Sequence, residues 1–319
     1  MKIWPRFWTI MYSLTVIPLL LSGCKKDQKE NTAQLALNSA TIEKSIASTN
    51  KRPLSKEFKE YWYAGDAEIT SYHLEQARYG EIREGKAVLI YVTEPFLPEV
   101  QVKADQSNTN NIPVLKLNAT KKYLTGIYPY SIMSSTFYPV NKNGHALKTS
   151  LSVQEWCGHV YAQINNREAF EFTSHSYFEG EADQLINIEK AVMENELWNK
   201  IRISPEDLPI GEFQIVPSLE FLRVKHIEPK VFKASAVLNT SDGITTYTLD
   251  YVDMQRKLTI NFTTDFPHTI ESWTEEFTSG FGRNAKLLIS KGTKLKSLKT
   301  AYWGQNSNSY VTLRDSLNL

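Results

Sequence analysis

Cysteine is almost missing from this chain: 319 residues carry two, Cys24 and Cys157. A scaffold of several disulfides is excluded, and no paired Cys-x-x-Cys offers a zinc site. An excess of either charge is also missing. The 36 Lys and Arg against 35 Asp and Glu leave no field for gathering nucleic acid. There is no glycine-rich phosphate loop, no His-Glu-x-x-His and no Gly-x-Ser-x-Gly, so the motifs of nucleotide, zinc-protease and serine-hydrolase chemistry are lacking. No cofactor and no metal are expected. The six histidines, at 73, 145, 159, 175, 226 and 268, are scattered, and a lone histidine in a strand defaults to a solvated or core position.

What is present first is an export signal. Residues 1–23 combine Lys2 and Arg6, an apolar stretch over 8–21, and Leu21-Ser22-Gly23 before Cys24. The apolar stretch is short for a membrane span. Leu21-Ser22-Gly23-Cys24 resembles the bacterial lipobox, which implies cleavage before Cys24 and a diacylglyceryl thioether on its sulfur. Two acyl chains anchor a protein stably, so Cys24 is the expected lipidation site and the membrane the expected partner. Cys157 is then left without an intrachain partner. The next residues, Lys25-Lys26-Asp27-Gln28-Lys29-Glu30, lack the aspartate that retains enterobacterial lipoproteins in the inner membrane. Their Lys-then-acidic start resembles a surface-export signal. An outer-membrane location is expected, on the periplasmic side or the cell surface.

Residues 24–54 are rich in Ser, Thr, Asn, Ala and Lys and have no aromatic. Such a segment cannot offset its ordering entropy by burial and reads as a flexible tether. The folded domain is expected over 55–319. Aromatics make up 12% of the chain and period-two alternation dominates, which favours sheet over helix. Strands are predicted at 67–74, 80–83, 87–93 (after a turn at Glu84-Gly85), 100–104, 114–119, 130–138, 148–164 (broken near Glu155) and 170–178. After one helix they resume at 213–216, 220–224, 231–238, 245–251, 258–263, 270–278 and 286–290. That helix is predicted over 188–201, amphipathic, with Met193, Leu197 and Ile201 recurring every four residues. Asp242-Gly243 marks the clearest hairpin. The expected fold is mainly β: an antiparallel meander curled into a sandwich or open barrel, with one helix inserted. Two sub-parts, 55–180 and 210–304, would be joined by the helical segment. Inward aromatics of a curled sheet could enclose an apolar cavity, although small barrels usually fill their interiors.

Two strings carry a resemblance. Tyr61-Trp62-Tyr63-Ala64-Gly65-Asp66-Ala67-Glu68-Ile69 runs on through Gln76-Ala77-Arg78-Tyr79-Gly80-Glu81. Val92-Thr93-Glu94-Pro95-Phe96-Leu97-Pro98 precedes Gln101-Val102-Lys103-Ala104-Asp105. Both resemble an uncharacterised family of Bacteroidota lipoproteins over the whole folded part. Members often carry the name of the Maf septum-formation inhibitors, which are nucleotide pyrophosphatases. That name implies Ser-x-Ser-Pro-Arg-Arg near the start of an α/β fold. Here Ser204-Pro205 is the single Ser-Pro and is followed by Glu206 and Asp207, so the arginine pair that would hold a triphosphate is missing.

Three candidate chemistries remain. Arg78, Glu81, Arg83 and Glu84 form a mixed-charge hairpin, expected to be a solvated edge that discourages pairing. Asp315-Ser316-Leu317 resembles the O-glycan acceptor of this phylum. The third centres on Cys157. Apolar residues fall on even positions through 156–164 and 170–178, so even must pair with even. A loop at Asn165-Asn166-Arg167 then opposes Cys157 to His175, flanked by His159 and Tyr177. Such a cluster supports either a Cys–His nucleophile, a weak metal site, or a plain polar face. The leading expectation is a membrane-anchored envelope lipoprotein acting as a non-enzymatic module for a hydrophobic ligand or an envelope protein. A thiol- or metal-dependent hydrolase at Cys157 and His175 is the alternative, and a Maf-type nucleotide pyrophosphatase the remote one.

Overall fold

The computed structural model describes residues 52–319 apart from Ser107; the signal, Cys24 and most of the tether lie outside them. The folded part starts before residue 55. The Arg52 amide donates to the Asn141 carbonyl at 2.9 Å and its guanidinium pairs with Asp207, while Leu54 packs on the core. Helix α1 (Lys56–Trp62) follows, capped by the Ser55 hydroxyl accepting from the Phe58 amide.

Sixteen strands form one sheet among the described residues. The first half is β1 (Ala67–Arg78), β2 (Glu81–Leu97), β3 (Val102–Lys103), β4 (Ile112–Thr125), β5 (Tyr128–Pro139), β6 (Lys148–Glu155), β7 (Gly158–Asn166), β8 (Phe170–Ser176) and β9 (Gln184–Ile188). Next come β10 (Val192–Met193), helix α2 (Glu194–Ile203), β11 (Gly211–Val216), helix α3 (Leu219–Lys225), β12 (Phe232–Ser241), β13 (Ile244–Tyr251), β14 (Arg256–Thr263), β15 (Ile270–Ser279) and β16 (Lys286–Thr300). Apart from the parallel pair β10–β11, every ladder is antiparallel. The two expected sub-parts are two meanders of a single sheet, hydrogen-bonded to each other through β1 and β16. Its two edges, β9 and β10, are separated in the chain by residues 189–191 only. The sheet therefore curls back on itself without closing into a barrel.

The predicted strands recur with three corrections. The Glu84-Gly85 turn is absent, and β2 runs straight through it. A Cβ at residue 85 would lie 2.4 Å from the Lys122 carbonyl oxygen on β4, so glycine there serves a close strand approach rather than a turn. The turn sits instead at Tyr79-Gly80. Residues 220–224 are helical, in α3: Ser218 caps the Phe221 amide at 3.2 Å and His226 ends the helix at φ +54. A short apolar run does not by itself distinguish strand from helix. The Asp242-Gly243 hairpin forms as predicted, with φ +50 and +77, the values a two-residue turn between twisted strands requires. It sets Ala236 against Leu249 and Leu238 against Tyr247.

The third correction concerns the predicted helix over 188–201. Ile188 ends β9, Val192 and Met193 form β10, and α2 spans Glu194–Ile203. Met193, Leu197 and Ile201 are buried as their spacing implies, but so are Glu194, Asn195, Glu196, Asn199, Lys200 and Arg202. The helix runs inside the curled sheet, and its polar faces are buried against strands.

Four of these polar side chains are tied to different parts of the surrounding wall, while Lys200 pairs with Glu196 within the helix. Arg202 grips Glu68 of β1 through two bonds of 2.6 Å and donates to the Pro267 carbonyl at 2.9 Å. Tyr61 of α1 donates to the same Glu68. Glu194 receives both terminal nitrogens of Arg256 (β14) and the Tyr251 hydroxyl (β13). Glu196 accepts from the Ala146 amide at 2.7 Å, and the Asn199 amide donates to the Leu115 carbonyl on β4 at 2.8 Å. Buried charges cost several kcal/mol unless paired and hydrogen-bonded. The helix is therefore held at one depth and one rotation, where a purely apolar helix could slide.

Candidate binding groove

The Cys157 cluster does not assemble. Trp156 and Cys157 form the two-residue turn between β6 and β7, closed by Glu155 opposite Gly158. Ile164 stands opposite Phe172, not Glu168, and His175 opposite Tyr161, not Cys157. The loop is Arg167-Glu168-Ala169, with the Arg167 amide on the Ala169 carbonyl at 3.0 Å. Even still pairs with even, so Val160, Ala162, Ile164, Phe170 and Phe172 are buried on the inner face as expected. Alternation permits slips by two residues, and the loop chose a different one. His175 lies against Asp183 at 3.1 Å. His159 faces Gln154 and accepts the Tyr177 amide on its carbonyl at 3.3 Å.

The exposed Cys157 has an acidic neighbour instead of a base. The Glu155 carboxylate accepts from the Cys157 amide at 2.7 Å. Its hydrogen bond to the thiol and its negative charge push the thiol pKa up. This disfavours the thiolate that a nucleophile needs. We expect the alkylation rate of Cys157 to reach half its maximum above the pH usual for a free thiol, and Glu155→Gln to lower that midpoint. A midpoint below that of a free cysteine, about 8.5, would restore the nucleophile.

The mixed-charge hairpin is no edge, since β1 and β2 sit in the middle of the sheet. Arg78 turns inward and is buried, donating to the Val224 carbonyl at 3.1 Å and to the hydroxyls of Tyr79 and Tyr130. Glu81 pairs with Arg83, and Glu84 with His73.

The interior of the curled sheet is largely filled, as in most small barrels, and the alternative of one large apolar cavity is not what forms. Tyr72, Tyr91, Tyr138, Tyr247, Tyr251, Phe170 and Phe262 are fully buried, and the space they enclose is occupied by the helices. Interior hydroxyls find partners, as Tyr72 does on the Ile270 carbonyl at 2.8 Å and Tyr247 on the Pro209 carbonyl at 2.9 Å. A chamber of about 70 Å³ remains beside α2, lined by apolar and polar groups in nearly equal number, the latter including Gln76, Lys121, Glu194, Glu220, Arg256 and Glu275. Lys121 and Glu220 are paired there at 2.7 Å. A pocket of about 230 Å³ lies between the inner-face residues Val160, Ala162 and Phe172 and the helical Leu219 and Leu222.

An apolar space of ligand size lies on the outer face. Residues 302–319 leave β16 and fold back over β16, β1, β2 and β4, mainly as a 3₁₀ helix over Asn308–Leu317. Beneath them is a groove of about 860 Å³, within the range of small-molecule sites. Its floor is Ile69, Val88, Ile90 and Leu298, its roof Leu313, Leu317 and Leu319, and its ends Tyr302 and Tyr310 on one side, Leu124 and Pro129 on the other. Lys86, Lys122 and Arg314 stand at its rim with Glu84. Lys86 ties the roof down by donating to the Asn318 carbonyl at 2.6 Å. Leu317 is buried, while the neighbouring Asp315 and Ser316 are exposed.

Sequence reasoning gave these last residues only the glycan-acceptor resemblance at Asp315-Ser316-Leu317 and no part in a groove. The available signal was Tyr310, Leu313 and Leu317 at helical spacing. That the outer face of the central strands needs a cover was not legible, because Val88 and Ile90 alternate with inward residues as in a strand buried on both faces. Searches of protein-family models, of curated proteins and of solved structures returned no match to this chain.

Proposed function

We propose that the protein is an exported, lipid-anchored binding module of the bacterial outer membrane, whose outer groove holds a linear apolar ligand of the acyl-chain kind. The groove is the observation that carries the reading: aliphatic floor, aliphatic roof and a rim holding three cationic side chains and one carboxylate. Leu317 and Leu319 pack on Ile69, Val88, Ile90 and Leu298, so an acyl chain would lie beside that contact, along the part of the groove lined by Leu124, Pro129 and Leu313, and Lys122 and Arg314 would meet a carboxylate or phosphate head. The lipobox-like Leu21-Ser22-Gly23-Cys24 supports attachment at Cys24, and no described helix is long and apolar enough to cross a membrane.

Two measurements test this. Cys24→Ala should release the protein from washed membranes, read by fractionation and by loss of acyl labelling. A variant still pelleting after correct signal cleavage would refute the anchor. The purified mature chain should bind a fluorescent fatty acid, and Leu317→Arg should abolish that binding with circular dichroism unchanged. Equal binding by the two proteins would refute the groove.

A further inference from the structure

The hairpin turns of the sheet fall at two ends, and their composition differs. At one end lie the turns 79–80, 126–127, 156–157, 177–183, 252–255 and 280–285; at the other lie 98–111, 140–147, 167–169, 242–243 and 264–269. At the first end the tips carry large apolar side chains in open solvent: Ile127 is 84% exposed, Tyr177 78%, Trp156 68% and Phe281 61%. At the other, among the described residues, one turn of the five does so, with Val100 and Val102. Tyr63, Ile210, Tyr302 and Trp303, also exposed near that second end, belong to the chain entering and leaving the strands.

The tips form a continuous arc, because their strands are neighbours in the order β15, β16, β1, β2, β4, β5, β6, β7, β8, β9. The Gly80 amide donates to the Ser279 hydroxyl at 3.3 Å, joining two tips. Tyr128 and Trp156 place their rings 6.3 Å apart, joining two more. Leu124, itself 59% exposed, stands on this arc and also lines the end of the groove.

We propose that this arc of hairpin tips inserts shallowly into a phospholipid bilayer, at the end of the molecule where the groove terminates. Apart from the Tyr128–Trp156 contact, the apolar groups sit on separate turns with polar backbone between them. They cannot form the close-packed centre of a protein interface, but each can enter the headgroup region alone. Tryptophan and tyrosine favour that depth, where the ring is buried and its polar atom stays wet. Turn backbones keep their hydrogen bonds to water and headgroups there. The charges around the tips are mixed: Lys122, Arg283 and Lys286 beside Glu155, Glu179, Glu181 and Asp183. Insertion is therefore driven by apolar burial and does not depend on anionic lipid. It requires neither the acyl anchor nor a ligand in the groove.

The test uses the mature chain with Cys24→Ser and flotation with phosphatidylcholine vesicles. A fraction should float, equally in low and high salt, and added phosphatidylglycerol should not raise it. Combining Ile127→Ser, Trp156→Ser and Phe281→Ser should lower the partition coefficient about tenfold or more. Val100→Ser with Val102→Ser, at the opposite end, should leave it unchanged. Absence of flotation would overturn the proposal. So would flotation that survives the triple variant with its fold intact, or binding to anionic vesicles alone that salt abolishes. A dimer lost in the triple variant, without vesicle binding, would reassign the arc to contact between copies. Fatty-acid binding is read separately on the same proteins, so failure of the groove and failure of the arc are distinguishable.

Discussion

Replacing Arg202 by methionine should lower the unfolding free energy by about 3–5 kcal/mol, the cost of leaving one member of a buried ion pair alone. Glu68 and Arg202 are both almost wholly buried. Arg202 also lies over the rings of Trp62 and Tyr91, at 5.0 and 4.7 Å. Without the guanidinium, Glu68 keeps the Tyr61 hydroxyl and loses the charge that offsets its desolvation. A Glu68→Leu, Arg202→Met double variant removes both charges and should recover most of the loss, because well-packed apolar replacements of buried pairs are often neutral. Urea unfolding of the wild type, Arg202→Met and the double variant would measure this. A cost under about 1 kcal/mol for Arg202→Met, typical of a solvated surface pair, would show that the site is wet.

Acid should unfold the domain by the same chemistry. Burial works to raise the pKa of Glu68, but the Arg202 charge and hydrogen bonds from Arg202 and Tyr61 outweigh it and hold the carboxyl below its usual range. At Glu194 burial is again opposed, by Arg256 and by the Tyr251 hydroxyl, and the net direction is also down. A carboxyl with a folded pKa below its unfolded value binds protons more readily in the unfolded chain. Its stabilisation is complete above the unfolded pKa, about 4.3 for glutamate, and is lost as pH falls through the folded value. The urea midpoint should hold steady down to about pH 5 and then drop steeply. In the Glu68→Leu, Arg202→Met protein the drop should be shallower, because one of the two carboxyls is gone. A wild-type midpoint that does not change down to about pH 3 would contradict the linkage.

The two expectations bear on why the helix could be only half read. Met193, Leu197 and Ile201 show the 3.6-residue period, and a helix is what forms. The same window carries Glu194, Glu196, Lys200 and Arg202, and the usual reading of such a face is solvent exposure. Burial followed because Glu68 and Arg256 stand about 130 and 60 residues away in the chain, and no local pattern announces a partner at that separation. For the same reason Arg78 passed for a surface charge. Besides the adjacent Tyr79, its partners are the Val224 carbonyl and the Tyr130 hydroxyl, both on distant elements.

The candidate site follows the same division. Parity placed Val160, Ala162, Ile164, Phe170 and Phe172 on the buried face correctly, since a one-residue slip would have exposed them all. Parity is blind to slips of two, so the opposition of Cys157 to His175 rested on the loop alone, and Arg167-Glu168-Ala169 turned the chain instead. The groove was out of reach because its walls come from β1, β2, β4, β16 and the last residues, which meet only when the second meander returns to pair β16 with β1.

By itself the sequence determined the β-rich class, the antiparallel connections, the Asp242-Gly243 hairpin and the existence of a helix near residue 197, because period, turn chemistry and local spacing act between near neighbours. The tertiary structure alone decided that the sheet stays open, that a charged helix fills it, that the ligand-sized space lies outside, and which residues stand against Cys157. Each of these depends on contacts between strands far apart in the chain, whose energies no short stretch of residues contains.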